Sequence, residues 1–470
     1  MRTIAIVGSG ITGLVAAHGL LRAGFSVDLY SDRTAAQWLH ESRPTGTAAR
    51  FDLALSYERE LGLNHWDDVA PKGEGVHLTF CPTLHNPLVK LIGRQQRPFQ
   101  AVDVRLQSFR WTNDFAAAGG RVIIEQVTAQ RLDAIAAGHD LTIVATGRSD
   151  LSGLFARNEE RSIYSTPQRN LAMVIVTGAP LQIPGVPLLP VKFDFLGTDG
   201  EIFFVPYHHK DNGPSWNLLF EAKAGSRLDR FSDAKSGAEV VEIGKQVVRE
   251  LFPWDEPFVR GMQLADPNGW LVGKVTPAVR QPVARLASGR VLTALGDASI
   301  SYDPIAAQGA NSGVKQARHL VASIVARGDR PFDGEWMTST FEAYWDEHAR
   351  HAYAFSHLLL EELTAPAKEL LIAQYGSDGR AANQSGAQQV ANAFFENFSD
   401  PRLLTGALTD IQQARAVVAR HTGGPWLWNG IRGRAAIARD QVKLKLGGQA
   451  RLRSAAGPGA PSRDAVVGGR

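Results

Sequence analysis

Three glycines near the start of the chain are spaced to hold a phosphate. Gly8, Gly10 and Gly13 form the pattern G-x-G-x-x-G, with Ser9, Ile11 and Thr12 between them. The apolar, β-branched run Thr3 to Val7 precedes them without a gap, and Leu14, Ala17, Leu20 and Leu21 follow at helical spacing. Gly8 makes the tight turn off the strand. Gly10, with no Cβ, lets a pyrophosphate approach the backbone, and Gly13 lets the helix pack close to the sheet. The helix N-terminus then offers N–H groups and the positive end of its dipole to the phosphates. A second strand over 25–30 leads to Ser31, Asp32 and Arg33. The acid comes slightly late for a ribose contact, so the three residues are expected to share it. The alternative is a glycine-rich turn in an α/β protein that binds no nucleotide.

A second group lies far along the chain. A strand over 289–295 runs into Gly296 and Asp297. The loop Asp303-Pro-Ile-Ala-Ala-Gln-Gly-Ala-Asn311 follows, then a long helix over 312–327. A carboxylate such as Asp297 can accept a hydrogen bond from a ribitol hydroxyl. The helix behind Gln308, Gly309, Ala310 and Asn311 can aim N–H groups at the N1–C2=O edge of a flavin. That edge gains negative charge on reduction, so the dipole favours the reduced form. Gly309 lets the backbone pass close to the ring. Together the two groups have the layout of FAD hydroxylases.

The elements that must position these groups divide the chain. Helix is expected within 34–75, most clearly at Tyr57–Leu61. Broken apolar runs, Val76–Phe80 and Pro87–Ile92, read as strands of a separate sheet. A helix from 101 to Gly119 and strands at 121–125 and 141–145 return to the nucleotide domain. The last of these closes on Thr146 and Gly147, a turn resembling one beside the dinucleotide in FAD enzymes. Short strands over 171–221 and a helix over 236–252 form a substrate domain. The predicted division is an FAD-binding domain from 1–75, 98–170 and 271–330, and a substrate-binding domain from 76–97 and 171–270. Helices over 331–424 and a basic tail over 425–470 complete it. That tail holds nine Lys/Arg against two Asp, about +7, and its Gly/Ala/Pro/Ser-rich end is expected to be disordered.

Composition sets the outer limits. A chain of 470 residues has room for two or three domains and a large core. With 44% apolar and 21% charged residues it reads as soluble and globular. A net charge of +3 makes no case for nucleic acid. The single cysteine, Cys81, excludes an internal disulfide framework and suits a reducing, cytoplasmic setting. A small half-buried thiol is the plainer reading of Cys81, a nucleophile the sharper one. No apolar run approaches the roughly 18–20 residues of a membrane span, and the first strand already uses the N-terminal apolar segment, which is too short for a signal peptide.

At this point the chain resembles a specific family, the flavin-dependent oxygenase component of styrene and indole monooxygenases. The resemblance runs from about residue 1 to 415. Its most specific matches are Pro167-Gln-Arg169 and the Asp303–Asn311 loop. Broader ones are Gly8–Gly13, Tyr30–Arg33, Ala101–Arg105, Ala145–Gly147, Val275–Ala278, Leu295–Asp297 and Glu396–Asp400. The resemblance implies an α/β fold: a Rossmann-like, FAD hydroxylase-type nucleotide domain, an inserted β-sheet substrate domain and C-terminal helices. It implies FAD reduced externally by an NADH:flavin reductase. Reaction with O₂ gives a C4a-hydroperoxyflavin, which epoxidises or hydroxylates an apolar aromatic alkene or an indole. The implied cofactor residues add Arg105 and Val127 to those already named, and a homodimer stays open. Only one dinucleotide fingerprint is evident, and Arg148-Ser-Asp150 lacks the Asp-Gly signature of single-component hydroxylases, so no built-in nicotinamide site is expected.

The chain departs from the family over Thr45–Asp52, where family members read their substrate. Ala48, Arg50 and Asp52 are expected at the pocket. Its apolar lining is expected from Phe203, Val205, Leu218, Phe220, Pro304 and Ile305. Either Arg50 and Asp52 pair with each other outside the pocket, or they read a polar group on a substrate larger than styrene. The second reading is favoured. No acid/base residue and no metal site is assigned. His348 and His351 lack a completing ligand, and His208-His209 read as loop residues. Trp426-Leu-Trp428-Asn-Gly-Ile431 resembles the Trp-x-Trp-x-Ile motif of flavin halogenases with the wrong spacing, and reads as a packing anchor. Three classes remain: a two-component monooxygenase, an FAD enzyme of other chemistry (dehydrogenase, reductase or halogenase), and a non-catalytic dinucleotide-binding protein.

Overall fold

The computed structural model describes residues 2–147 and 150–455, with side chains to residue 440. Arg148, Ser149 and the end of the tail, 456–470, lie outside the described residues, and with them the expectations of a missing Asp-Gly signature and a disordered end. The strands in chain order are β1 (Thr3–Val7), β2 (Ser26–Ser31), β3 (Gly73–Cys81), β4 (Val89–Phe99), β5 (Arg121–Ile124), β6 (Leu141–Val144), β7 (Asn170–Thr177) and β8 (Pro190–Leu196). They continue as β9 (Gly200–His209), β10 (Gly213–Ala222), β11 (Gln263–Leu264), β12 (Trp270–Lys274), β13 (Ala278–Val279), β14 (Val283–Arg285), β15 (Val291–Ala294) and β16 (Ile300–Ser301). The helices are α1 (Ile11–Arg22), α2 (Ala35–His40), α3 (Asp52–Glu60), α4 (Val104–Ala117), α5 (Ala129–Ala137), α6 (Gly237–Leu251) and α7 (Glu256–Val259). Then come α8 (Gln308–Arg327), α9 (Gly334–Tyr344), α10 (Arg350–Leu360), α11 (Ala365–Ala373), α12 (Gly386–Glu396), α13 (Ile411–Thr422) and α14 (Trp426–Ala455).

The first sheet has the order β14-β15-β6-β1-β2-β5. Its five strands from β15 to β5 are parallel and only the edge strand β14 is antiparallel. A parallel sheet must be covered on both faces, so its central strand β1 is apolar at every position from Ile4 to Val7. Ile4 and Ile6 point into a core shared with α1, α4 and α8, while Ala5 and Val7 point into a second core with α5.

The second sheet has eight strands in the order β11-β7-β10-β9-β8-β3-β4, with β12 also pairing β7. It is antiparallel except for the β3–β8 pair. One face packs on α6 and α7, the other toward the cavity and the C-terminal helices. Strand β12 begins at Trp270 and runs to Lys274 in this sheet, so the substrate sheet extends past residue 270. Between 34 and 75 the structure has two short helices, α2 and α3, separated by an irregular strap over 41–51. The tail from Trp426 to Ala455 is a helix. Among the described residues no helix is long and apolar enough to cross a membrane.

Candidate cofactor and substrate site

A cavity of about 1210 Å³ opens between the two sheets. Its floor is the loop between β1 and α1. Gly8 has φ +120, and a Cβ there would lie 2.3 Å from the Ala145 carbonyl oxygen. A Cβ on Gly13 would lie 2.0 Å from the Gly8 carbonyl oxygen. A Cβ on Gly10 would meet nothing within 4 Å. The first and third glycines therefore let the backbone close on itself, and the second leaves open the space above the helix end. Gly8, Gly10, Ile11 and Thr12 line this floor, while Gly13 lies beneath it.

Two helices aim their N-termini into the cavity. α1 starts after Gly10 and α8 after Ala307, which has φ 54, and neither carries a side-chain cap. Many of the other helices start with a side-chain cap, for example Thr34, Thr128, Ser236 and Asp333, while α3, α7 and α10 do not. Uncapped first-turn N–H groups need a partner, and here they face open volume between Ile11–Thr12 and Gly309–Ala310. This donor set suits an anionic pyrophosphate at α1 and the electron-rich edge of a flavin at α8. Gly309, Ala310, Gly296, Asp297, Thr146, Gly147 and Val127 line the space between them. FAD would be held by these residues, with Asp32 and Arg33 at the far end.

Four residues expected to touch the cofactor are placed elsewhere. Ser31 is buried, and its Oγ is occupied by Ser9 Oγ at 2.7 Å and the Arg33 carbonyl at 2.6 Å. The exposed Asp32 and the half-buried Arg33 pair with each other, and Arg33 also lies 4.6 Å over the Trp38 ring. Arg105 is fully buried between Asp103 (2.7 Å) and Asp266 (2.9 Å) and does not line the cavity. His209 joins that cluster through Asp266 at 2.6 Å, so it is an enclosed structural residue rather than a loop residue. Gln308 and Asn311 are not in a loop but in the first turn of α8. Gln308 Nε2 donates to the Ala306 and Phe398 carbonyls. Asn311 accepts from Phe51 N–H at 2.9 Å and donates to the Ala49 carbonyl at 2.8 Å. Both fix the walls of the cavity: Gln308 holds Phe398, and Asn311 holds the strap 45–51.

The wall opposite the cofactor floor comes from the second sheet. Val76, Leu171, Met173, Val191, Phe193, Phe203, Val205 and Leu219 supply its apolar part, and β12 adds Leu271, Gly273 and the charged Lys274. Phe193 stacks on Phe203 at 4.3 Å between ring centroids. Pro304, Ile305, Ala48 and Phe398 complete the chamber. Leu218 and Phe220 do not belong to it. Leu219 pairs with Phe203 across β9–β10, so the even-numbered residues of β10 turn to the opposite face and pack against α6. The strand alternates with a period of two, and the expected lining took the wrong parity.

Arg50 and Asp52 are also outside the lining. Arg50 is 1% exposed, forms an ion pair with Glu58 on α3, and donates to the Ala48 carbonyl at 2.6 Å. It pairs neither with Asp52 nor with the cavity. Asp52 starts α3 and faces Arg59 at 3.4 Å and Arg97 at 3.6 Å. The strap that carries Arg50 does reach the cavity, through Thr45, Gly46, Thr47, Ala48, Ala49 and Phe51. Thr47 Oγ1 ties it to Asn217 Oδ1 on β10 at 2.8 Å.

Sequence reasoning missed Arg280, which lines the cavity and donates to the Asp297 carbonyl at 3.3 Å. Burial lowers its pKa, opposed by Asp297. Its only signal was its place two residues after Val275–Ala278. Behind Ile305, Glu221 and Asp303 are buried as neighbours of Glu201, whose carboxylate is taken by Arg169 at 2.8 Å. Burial, and then the charges of Asp303 and Glu201, push Glu221 well above the usual carboxylate range. Burial pushes the Cys81 thiol up to about 12, which fits an inert cysteine. His348 is drawn down to about 4 by burial and by Arg402 and Lys315. Among the described residues no group of three or more His, Cys, Asp or Glu could hold a metal ion.

Residues 147–257 match the family described as the substrate-binding domain of styrene monooxygenase A, and residues 6–69 match an NAD(P)-binding Rossmann-like domain. Styrene monooxygenase StyA of Pseudomonas fluorescens is 26% identical over 416 residues, covering 85% of this chain and 93% of that relative. StyA of another Pseudomonas is 26% identical over 422 residues, with the same coverage. Among solved structures, the flavin-dependent brominase Bmp2 superposes with a TM-score of 0.59 at 14% identity, covering 94% of this chain and 99% of that one. The 2-methyl-3-hydroxypyridine-5-carboxylic acid oxygenase does so with a TM-score of 0.53 at 17% identity, covering 83% and 96%. These two are likenesses of fold. The glycine floor, the two uncapped helix ends and the matched substrate sheet meet in one cavity, and over most of its length the chain is similar to styrene monooxygenases, which supports an FAD-dependent monooxygenase.

Proposed function

We propose that the protein is the oxygenase component of a two-component system, using FAD reduced by a separate NADH:flavin reductase to oxygenate an apolar aromatic alkene or an indole-like substrate. The observation that carries this reading is the continuity of the cavity from the glycine floor to the wholly apolar wall of β3 and β7–β10. Bound reduced FAD supplies two electrons and two protons to O₂, so that one oxygen atom enters the substrate and the other leaves as water. The chain's own residues bind, orient and keep the site dry. The N-terminus of α1 would hold the pyrophosphate of the cofactor and that of α8 the electron-rich edge of its flavin. Phe193 and Phe203 present a stacked aromatic surface for a flat substrate, and Val205, Leu219 and Ile305 close the space around it. Exclusion of water from such a chamber protects an oxidising species from loss, and orientation above the cofactor supplies the proximity term. With Arg50 enclosed, β3 and β7–β10 present only apolar side chains to the cavity and the second sheet's charge there is Lys274 at the end of β12, so the chamber beside Phe193 and Phe203 favours an unsubstituted apolar substrate over the larger polar one.

The test is a product screen with the purified chain, FAD, NADH and a generic flavin reductase over styrene, indole and a carboxylated indole. Epoxide or hydroxylated product from styrene or indole, dependent on the reductase, is the expected result. Rapid NADH oxidation by the chain alone would overturn the two-component reading. Product that appears only with added bromide or chloride would assign halogenation instead.

A further inference from the structure

The helix α14 has two faces with different company. Its inner face is docked on the C-terminal helices. A Cβ on Gly433 would lie 2.5 Å from the Ile372 carbonyl on α11, Tyr375 Oη bonds Asp440 at 2.7 Å, and Arg415 lies 3.9 Å over the Trp426 ring. The outer face is open. Trp428 is 63% exposed, Leu427 53% and Ile431 48%. With the exposed Ala435 and Ala438 they form one stripe, since 428, 431, 435 and 438 recur at helical spacing. Helical geometry puts Arg432 and Arg439 along one edge of the stripe and Arg434 along the other, and all three are exposed. Asp440, the only acid between Trp426 and Ala455, is already bonded to Tyr375. The sequence beyond adds Lys443, Lys445, Arg451 and Arg453. The chain is +3 overall and its last segment about +7, so the rest is net acidic and the positive charge is local to this helix.

We propose that the outer face of α14 seats the protein on an anionic lipid surface. Trp beside Leu and Ile, edged on both sides by Arg, is the composition of a helix lying in the headgroup layer. The indole suits that boundary, and the guanidinium groups reach lipid phosphates. The stripe is narrow and convex, with alanines between its large side chains. It suits shallow insertion between acyl chains better than the roughly 800 Å² flat patch of a stable protein interface. Attachment here leaves the cavity untouched and involves no span. The inference is independent of the oxygenase reading.

The experiment is flotation of the full chain with vesicles of phosphatidylcholine alone and of phosphatidylcholine mixed with phosphatidylglycerol. Binding is expected to the mixed vesicles and to fall with salt. Replacing Leu427, Trp428 and Ile431 together by Ser is expected to weaken it more than about tenfold, because it removes the anchor. Each of Arg432→Gln, Arg434→Gln and Arg439→Gln is expected to weaken it about fivefold. These side chains face outward, so thermal unfolding should match the wild type and shows that each variant is folded. No flotation with the mixed vesicles at low salt overturns the proposal, as does equal flotation of the Ser variant. Capture of the flavin reductase by the wild type but not by the Ser variant, without flotation, would assign the face to an acidic protein surface instead.

Discussion

The three glycines of the first loop should fail in different ways when each is changed to alanine. Gly10 sits at φ −74 and ψ 177, ordinary extended backbone, and its new methyl would meet no protein atom within 4 Å. The loss of a preferred N-cap residue and the gain from a stiffer unfolded chain nearly offset each other, so stability should change by less than about 1 kcal/mol. The methyl instead occupies the space above the uncapped end of α1. Losing a charge-assisted hydrogen bond to the pyrophosphate there costs about 1.5–3 kcal/mol, which weakens FAD binding roughly tenfold to 150-fold. Gly13→Ala differs because the new atom lies 2.0 Å from the Gly8 carbonyl oxygen and 3.4 Å from Ala145 Cβ. Backbone must move, at about 1–3 kcal/mol or more, and cofactor binding is lost with the loop. Gly8→Ala adds a positive φ to a 2.3 Å clash and should be the least stable of the three. The assay is thermal unfolding of the FAD-free proteins beside a fluorescence titration with FAD. The melts must be FAD-free because the ligand itself raises stability. Wild-type affinity in Gly10→Ala, or a melt as depressed as that of Gly13→Ala, would refute this account of the loop.

The parity of β10 predicts that Leu219→Ala alters the product ratio between styrene and indole with a modest loss of stability. Leu218→Ala should cost about 2–5 kcal/mol and leave that ratio unchanged, as denaturation midpoints and product analysis would show. Arg50→Ala strands the fully buried Glu58 and should destabilise by about 3–5 kcal/mol, with activity falling alike on polar and apolar substrates. An Arg50→Met/Glu58→Leu pair should recover most of that stability, and selective loss on a carboxylated indole would contradict the buried placement. Glu221 is held protonated by burial and by its acidic neighbours. Its pKa is raised in the folded state, so its contribution to stability is complete below the unfolded value of about 4.3 and is lost as pH rises through the folded one. Glu221→Gln should therefore flatten the decline of stability above that pH in denaturant titrations. An identical decline in both proteins would place the titration elsewhere.

The sequence by itself determined those parts in which neighbours in the chain are neighbours in space. β1, the glycine loop, α1 and β2 form one local unit, and their spacing fixed each element and the tight turn at Gly8. The same holds for the strand that runs into Gly296 and Asp297, but Gln308–Asn311 read as loop when it is the first turn of α8. A helix entered through a left-handed alanine, Ala307, leaves no sequence mark of its start. The tertiary structure decided what side chains face. In Phe203–Val205 and Leu218–Phe220 every residue is apolar because both faces of the sheet are covered, so only the register with β9 shows that Leu219, and not Leu218, meets the cavity. Charge was equally ambiguous. Arg50, Arg105, Gln308 and Asn311 carry groups suited to a ligand, yet each is used up by Glu58, Asp103 or a buried carbonyl contributed from another element or a neighbouring turn. A polar side chain removed from water must find a partner, and whether that partner is a ligand or the protein itself is settled only when distant segments meet.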